Sequence, residues 1–185
     1  MHSFFTRSGD DGKTSLLGEG RVSKFHLRIE TLGTLDEASA ALGFARAICE
    51  DAGINEMVIE IQRDLYDIMS EIAAIPENRM QFQKMSAERI SWLESRIEHY
   101  AKITENPKEF IVPGSTKSGA VFSLARTIIR RAERRLAELQ ENDPNINPLL
   151  IKYINRLSSF CFVLELHETQ SSGKPTPLAK GKTTQ

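Results

Sequence analysis

The sequence predicts an all-α fold, an antiparallel bundle of five helices preceded by a long glycine-rich loop. Three observations point there. Beyond residue 23, apolar residues recur at three- and four-residue steps, the period of a helix buried on one face. No stretch alternates apolar and polar residues for long enough to read as a strand. The links between apolar stripes are mostly short, which makes successive helices antiparallel neighbours. With 185 residues the chain can fill one core, so residues 1–170 read as a single domain. Residues 171–185, polar and holding Gly173 and Pro175, read as a disordered tail.

The loop from Thr6 to Val22 holds Gly9, Gly12, Gly18 and Gly20 among hydroxyl and acidic residues and has no sustained apolar period. The first helix starts near Ser23, carries Leu32, Leu35, Ala38, Leu42 and Ala45, and is expected to end at Gly53. The second runs from about Asn55 to Ala74 on Val58, Ile61, Leu65, Ile68 and Ile72. Pro76 to Met85 has no readable structure. The third begins near Ser86 with Ile90, Leu93 and Ile97. An extended connector, Asn106 to Gly114, is stiffened by Pro107 and Pro113. The fourth helix covers about Thr116 to Gln140, with Val121, Leu124, Ala125, Ile128, Ala132, Leu136 and Leu139 on its apolar arc. The fifth spans about Asn147 to Glu168.

Composition removes several classes of function. The net charge of −1 offers no global basic field for nucleic acid or a membrane surface, so any anion must be met locally. No apolar run is long enough to cross a bilayer, and the first residues lack the apolar core of a signal peptide. Cys49 and Cys161 stand far apart inside helix-like segments, as reduced core thiols of a cytoplasmic protein do. The four histidines show no metal-ligand spacing among themselves or with the cysteines.

The fourth helix carries the clearest chemistry. Arg126, Arg130 and Arg134 recur every four residues and stack on one stripe, with Arg131 and Arg135 in a neighbouring row. Such a stripe repels itself unless an anion or carboxylates answer it, and the planar fork of arginine suits phosphate. Glu133 is the only acid between Arg126 and Arg135. A solvated charged face is the alternative. Thr6-Arg7-Ser8-Gly9-Asp10-Asp11-Gly12-Lys13-Thr14 has the parts of a phosphate cradle, in backbone N–H groups freed by glycine, hydroxyls and a lysine. Its Gly12-Lys13-Thr14 end mimics a Walker A motif, but Arg7 stands where that motif needs glycine and no apolar strand precedes it. A flexible arm is the alternative there. Asp36 and Glu37 lie within the first helix among apolar residues, where a carboxylate needs a cation; Arg126 is one candidate. Phe110 on the connector reads as core filler or as a presented ring. Asn155 among apolar neighbours of the fifth helix suggests a specific hydrogen bond.

Four segments together resemble the PduO-type ATP:cob(I)alamin adenosyltransferases. They are Thr6 to Thr14; Gly33-Thr34-Leu35-Asp36-Glu37; Phe110 to Gly114 followed by Ala125 to Arg134; and Tyr153-Ile154-Asn155-Arg156-Leu157-Ser158. They fall in the family's order between residue 4 and about 168. The resemblance implies a homotrimer that moves the 5′-deoxyadenosyl group of ATP to the cobalt of cob(I)alamin, giving adenosylcobalamin and triphosphate. It makes residues 1–22 a nucleotide loop in which Thr6, Arg7, Ser8, Gly9, Asp10, Gly12, Thr14 and Ser15, with Lys24, face ATP. Arg130, Glu133, Arg134 and Asn155 of a neighbouring chain would complete that site, with Mg²⁺ held mainly by the phosphates and Glu133 the one side chain placed to join them. Arg130, Glu133, Asp36 and Arg126 form the implied catalytic set. Phe110, Asp36 and Arg126 form the implied corrinoid side, with Asp36 and Arg126 as a pair. A reductase or an adenosylcobalamin-dependent enzyme is the implied protein partner.

The sequence leaves the family pattern at three places. Ser123 stands where a histidine is common, Ser159 where an aspartate is usual, and Leu164-Glu165-Leu166-His167 where a small residue and then arginine are usual. The departures fall on elements that could touch the corrinoid, while the ATP half of the pattern is intact. They leave open a second reading, an ATP-binding regulatory or partner-binding module of the same fold with weak or altered corrinoid activity.

Overall fold

The computed structural model describes residues 4, 5 and 7–180. Among them the chain is mostly helical, with six α-helices and one two-stranded sheet. The sheet is a hairpin of β1 (Lys13–Ser15) and β2 (Arg21–Ser23), antiparallel with Thr14 opposite Val22. The helices are α1 (Leu27–Ile48), α2 (Ala52–Ala73), α3 (Arg79–Phe82), α4 (Ala87–Lys102), α5 (Lys117–Asn142) and α6 (Pro148–Ser171), with one 3₁₀ turn at Pro76–Asn78.

Side-chain caps set most helix starts. Asp51 accepts from the Ile54 N–H at 2.9 Å, Thr116 from Gly119 at 3.0 Å and Asn147 from Leu149 at 3.0 Å. Ser86 also caps α4 through the Arg89 N–H, although no capping-box partner stands three residues on. Each cap is worth about 1 kcal/mol against alanine. The Asp51 cap corrects one expected boundary. Cys49 is already extended, and Gly53 becomes the second residue of α2 instead of ending α1. The start of α1 likewise moves from Ser23 to Leu27, because residues 21–23 are paired in the hairpin.

The bundle is built outward from α5, which packs on α1 and α6; α2 lies on α1, and α4 on α6. Val58, Ile61, Leu65, Ile68 and Ile72 of α2 are all fully buried. Burying each stabilises the fold by roughly 1.5–3 kcal/mol. The core also holds a satisfied polar knot joining three helices. Tyr153 of α6 donates to Asp64 of α2 at 2.5 Å, and Arg89 of α4 grips the same carboxylate with two N–H groups. Burial, then Asp64, keeps the Tyr153 hydroxyl well above its ordinary pKa. At one end of the bundle Asp143 accepts from both Arg28 and Arg79, at 2.9 and 2.7 Å. Arg28 also donates to the Ile72 carbonyl at 2.7 Å, clamping the last turn of α2.

Two expectations are corrected outside the bundle. The N-terminal loop contains the hairpin, closed by a turn in which Gly18 takes φ 145°. A Cβ there would stand 2.3 Å from Ile75 Cδ1, so only glycine lets the turn approach the end of α2. Of the tail, expected to be disordered, residues 181–185 lie outside the described residues, while Pro177, Leu178 and Ala179 are tied to the connector. Val112 donates to the Pro177 carbonyl at 2.8 Å, Ala179 donates to Phe110 at 2.7 Å, and Ile111 bridges Leu178. Two prolines keep the connector extended, and its open backbone edge takes the tail as a strand-like partner. Cys49 and Cys161 are buried free thiols. Burial pushes the Cys49 thiol up to about 11.

Candidate functional site

The two arginine rows of α5 have different fates. Arg131 pairs with Glu37 of α1, and Arg135 meets Glu138 at 2.9 Å and Glu30 at 3.8 Å. That row is answered from within the fold. Arg130 and Arg134 are exposed, and among the described residues neither has a carboxylate within ion-pair distance. Arg134 donates to the Arg130 carbonyl at 3.0 Å, which holds its fork along the helix. Two adjacent guanidinium groups are thus left facing outward, an arrangement that favours an anion with several oxygens. Beside them, half-buried Glu133 accepts from Asn155 Nδ2 at 2.7 Å. Arg156 donates to Asn155 Oδ1 at 2.8 Å and to Glu94 at 2.9 Å, extending the relay across α6 to α4. The Asn155 bond is the specific contact that its place in the sequence suggested.

The N-terminal segment forms a second polar surface. Arg7 takes φ 60° and Gly12 φ 77°, so the backbone folds back twice, with Asp10 N–H donating to Arg7 and Gly12 N–H to Gly9. Lys24 Nζ lies over Gly9, where a Cβ would come within 2.9 Å. Thr14 and Ser15 lie on β1, and Ser8 offers its carbonyl to Arg21. Arg21 organises the whole segment by gripping Asp11 at 2.8 and 2.9 Å and reaching the Lys13 carbonyl at 3.1 Å. Its grip, ahead of the Lys13 N–H, holds the Asp11 carboxyl below its ordinary pKa. Arg21 and Asp11 were not picked out from sequence; the signal was Gly18-Glu19-Gly20 between two short runs of hydroxyl and basic residues. Thr6 lies outside the described residues. The segment docks on the bundle through Leu17, whose N–H donates to Ala73 and whose carbonyl accepts from Ile75. Among the described residues no hydrogen bond or ion pair joins it to Arg130, Glu133, Arg134 or Asn155 of its own chain.

A third element is a cleft of about 410 Å³ between the connector and the bundle, lined by Pro107, Phe110, Ile111, Arg126 and Phe162 among others. Phe110 is 88% exposed, which removes the core-filler reading. The guanidinium of half-buried Arg126 lies 5.8 Å from the centre of the Phe162 ring. The expected pairing of Asp36 with Arg126 does not form within one chain. Asp36 is exposed on α1 without a hydrogen-bond or ion-pair partner among the described residues, while Arg126 turns toward α6. Leu124, expected in the core, is 50% exposed, because the buried arc of α5 is centred on Phe122, Ala125 and Ile129. Phe162 and Glu165 on α6 are the members of this region that sequence reasoning did not assign.

Comparison with known proteins gives these surfaces a context. The family model described as cobalamin adenosyltransferase matches residues 4–168. The corrinoid adenosyltransferase of Bacillus subtilis is 37% identical over 162 residues, covering 85% of this chain and 82% of that protein. The corrinoid adenosyltransferase PduO of Salmonella typhimurium is 39% identical over 163 residues, and the chain spans about half of its length (48%). Among solved structures, a phenylalanine-to-alanine variant of the PduO-type ATP:corrinoid adenosyltransferase from Lactobacillus reuteri, complexed with cobalamin and ATP, superposes with TM-score 0.90 at 27% identity. That match covers 97% of this chain and all of the other. An arginine-to-lysine variant of the same protein, complexed with ATP, gives TM-score 0.88.

Proposed function

This chain belongs to the cobalamin adenosyltransferase family, and from that premise we propose that it transfers the 5′-deoxyadenosyl group of ATP to the cobalt of cob(I)alamin. The single observation that carries this reading is the unanswered pair Arg130 and Arg134, left outward beside Glu133 while the next row finds its acids within the fold. The reaction needs just such a surface. The reduced cobalt of the substrate supplies both electrons of the new cobalt–carbon bond to C5′ of the ribose. The C5′–oxygen bond breaks, and its electron pair leaves on triphosphate. No protein base is required; the protein holds the two substrates in line and stabilises charge on the departing triphosphate.

Each surface takes one part of that work. The Arg7–Ser15 segment, with Lys24, offers backbone N–H groups, hydroxyls and an ammonium to the nucleotide of one protomer. Arg130 and Arg134 of its neighbour meet the triphosphate. This division makes the protein a trimer with shared sites, supported by the absence, among the described residues, of any hydrogen bond or ion pair between the two surfaces within one chain. The same assembly lets exposed Asp36 meet Arg126 between protomers. The residues fit one magnesium ion, since Glu133, fixed by Asn155, presents a hard oxygen beside the phosphate-facing arginines. Bound there, the ion would neutralise part of the triphosphate charge. Phe110, held out from the surface on its connector, packs against the lower face of the corrin and excludes an axial ligand.

The test mixes the protein with ATP, Mg²⁺ and chemically reduced cobalamin and follows the absorbance change of cobalt–carbon bond formation. Adenosylcobalamin and inorganic triphosphate in equal amounts are expected. Tight ATP binding with no transfer would overturn the enzymatic reading and favour a regulatory module.

A further inference from the structure

One turn along α6 from Phe162, a carboxyl group is buried in the core. Glu165 of α6 is 3% exposed, and its Oε1 has no hydrogen-bond partner. Arg126 of α5 has the complementary fault, a buried Nε without an acceptor. The two stand on facing helices at a close approach. A Cβ added to Gly119, seven residues before Arg126, would lie 3.1 Å from the Glu165 carbonyl oxygen. Ser123, four residues on from Gly119 and one turn before Arg126, shares that face of α5 and is 6% exposed. Phe162, one turn before Glu165, is the ring against which the Arg126 guanidinium lies.

A carboxylate placed here serves the core poorly. Burial penalises its charge and raises its pKa, with Ser123 and then Arg126 opposing the rise. An apolar residue of similar size would pack at least as well. The charge does have one mobile object within reach of its field. Among the described residues no carboxylate lies within ion-pair distance of Arg126, and Glu165 is a buried acid on the facing helix whose charge Arg126 favours. Low local dielectric makes that attraction stronger than it would be in water. Ser123 and Glu165 also fall within two of the segments where the sequence leaves the family pattern, and the fold buries both where α5 packs on α6.

We propose that Glu165 is a positioning residue for the cleft beside Phe110: buried where α6 packs on α5, its carboxylate draws the Arg126 guanidinium against Phe162 and sets where that cation stands toward the corrin. The inference rests on reading this cleft as the corrinoid side. In this chain the corrinoid side is then organised from within each protomer as well as by Asp36.

The test uses Glu165→Gln, Arg126→Gln and the double variant, each checked for an intact melting transition. Equilibrium dialysis with cob(II)alamin and steady-state kinetics with ATP and cob(I)alamin are the readouts. Glu165→Gln is expected to weaken cobalamin binding and raise the corrinoid KM by about tenfold, the scale of coupling between residues in one network, with the ATP KM within about twofold. In the Arg126→Gln background it should add almost nothing, because it acts through that arginine. Unchanged corrinoid affinity, or an equal effect in both backgrounds, overturns the proposal. If Glu165→Gln does not fold, Ser123→Ala keeps the carboxylate but removes a hydroxyl that favours its charged form and should raise the corrinoid KM by a smaller factor; no rise there also overturns it. A parent protein that binds no cobalamin sinks the reading of the cleft. A parent that binds it and ignores Glu165→Gln sinks this inference alone.

Discussion

Asn155 Nδ2 donates to Glu133 Oε1 across 2.7 Å, tying the middle of α6 to the arginine face of α5. Because Arg156 and Glu94 continue the relay, Asn155 is fixed on both ends of its amide. Asn155→Ala should free the Glu133 carboxylate to swing toward Arg130 or Arg134. Stability should fall by about 1 kcal/mol, the usual net worth of one hydrogen bond. The KM for MgATP should rise about tenfold with the corrinoid KM unchanged. Steady-state kinetics with each substrate varied in turn, and a thermal melt, check this.

Arg130→Ala removes one guanidinium from the unanswered pair. The loss should be about 2–4 kcal/mol of transition-state stabilisation, as for other charge-stabilising donors. The side chain is exposed, so the melting temperature should hardly move. Arg131→Ala is the control, since Arg131 already has Glu37. It should keep turnover within about threefold, on the scale of an exposed ion pair. Equal losses in the two variants would show that the rows are not distinct.

Light scattering should give three times the 20.8 kDa chain mass at micromolar concentration. A mixture of two inactive variants, one altered at Lys24 and one at Arg130, should regain part of the parent activity after subunit exchange. Sites completed by residues from different chains allow this, and sites contained in one chain do not.

Asp143 links the start of α1 to α3 through Arg28 and Arg79. Burial pushes its carboxyl up, but hydrogen bonds from Arg79, the Asn145 N–H and Arg28 outweigh that and hold it below 3.8. A depressed folded pKa stabilises the fold above the unfolded value, and that contribution is lost as pH falls through the folded one. Asp143→Asn should therefore cost about 3 kcal/mol near neutral pH, the scale for breaking a partly buried pair. The gap between the parent and variant melting temperatures should close as pH drops below about 4. A gap that persists in acid would mean that the carboxylate charge is not what stabilises this end.

The helical stripes and the outward arginine pair were legible because each follows from spacing along one element. Arg130, Glu133 and Arg134 share a face by period alone, and Asn155 stood out among apolar neighbours. What was illegible depends on partners distant in sequence. Nothing local says that Glu37 answers Arg131 but leaves Arg130 free, 94 residues separating the first pair. The tail looked disordered because its composition cannot build a core, yet it needs only the open edge of the connector, residues 110–112, to be held. Gly53 misled because glycine is a stop signal only when no stronger start precedes it, and Asp51 did.

Phe110 stands at the outer edge of the connector, beside the cleft that Arg126 and Phe162 line. Its ring is 88% exposed, and its backbone is fastened at its own carbonyl, by Ala179, and two residues on, by Pro177 at the N–H of Val112. A ring held outward by a fastened backbone costs little entropy on binding. Removing an exposed ring takes little from the fold, so Phe110→Ala should stay within about 0.5 kcal/mol of the parent. A core phenylalanine would lose about 3–5 kcal/mol. ATP affinity should be unchanged. Turnover from cobalt(II) with a reductase should collapse, since an axial ligand left in place resists reduction, while pre-reduced cob(I)alamin should be used at nearly the parent rate. Deleting residues 174–185 should reproduce that pattern in weaker form, because Phe110 then keeps its ring but loses the segment that aims it. A truncated protein equal to the parent in both assays would mean that the prolines alone hold the connector. A Phe110→Ala protein equally damaged with both forms of cobalt would place the ring in substrate binding instead of ligand exclusion.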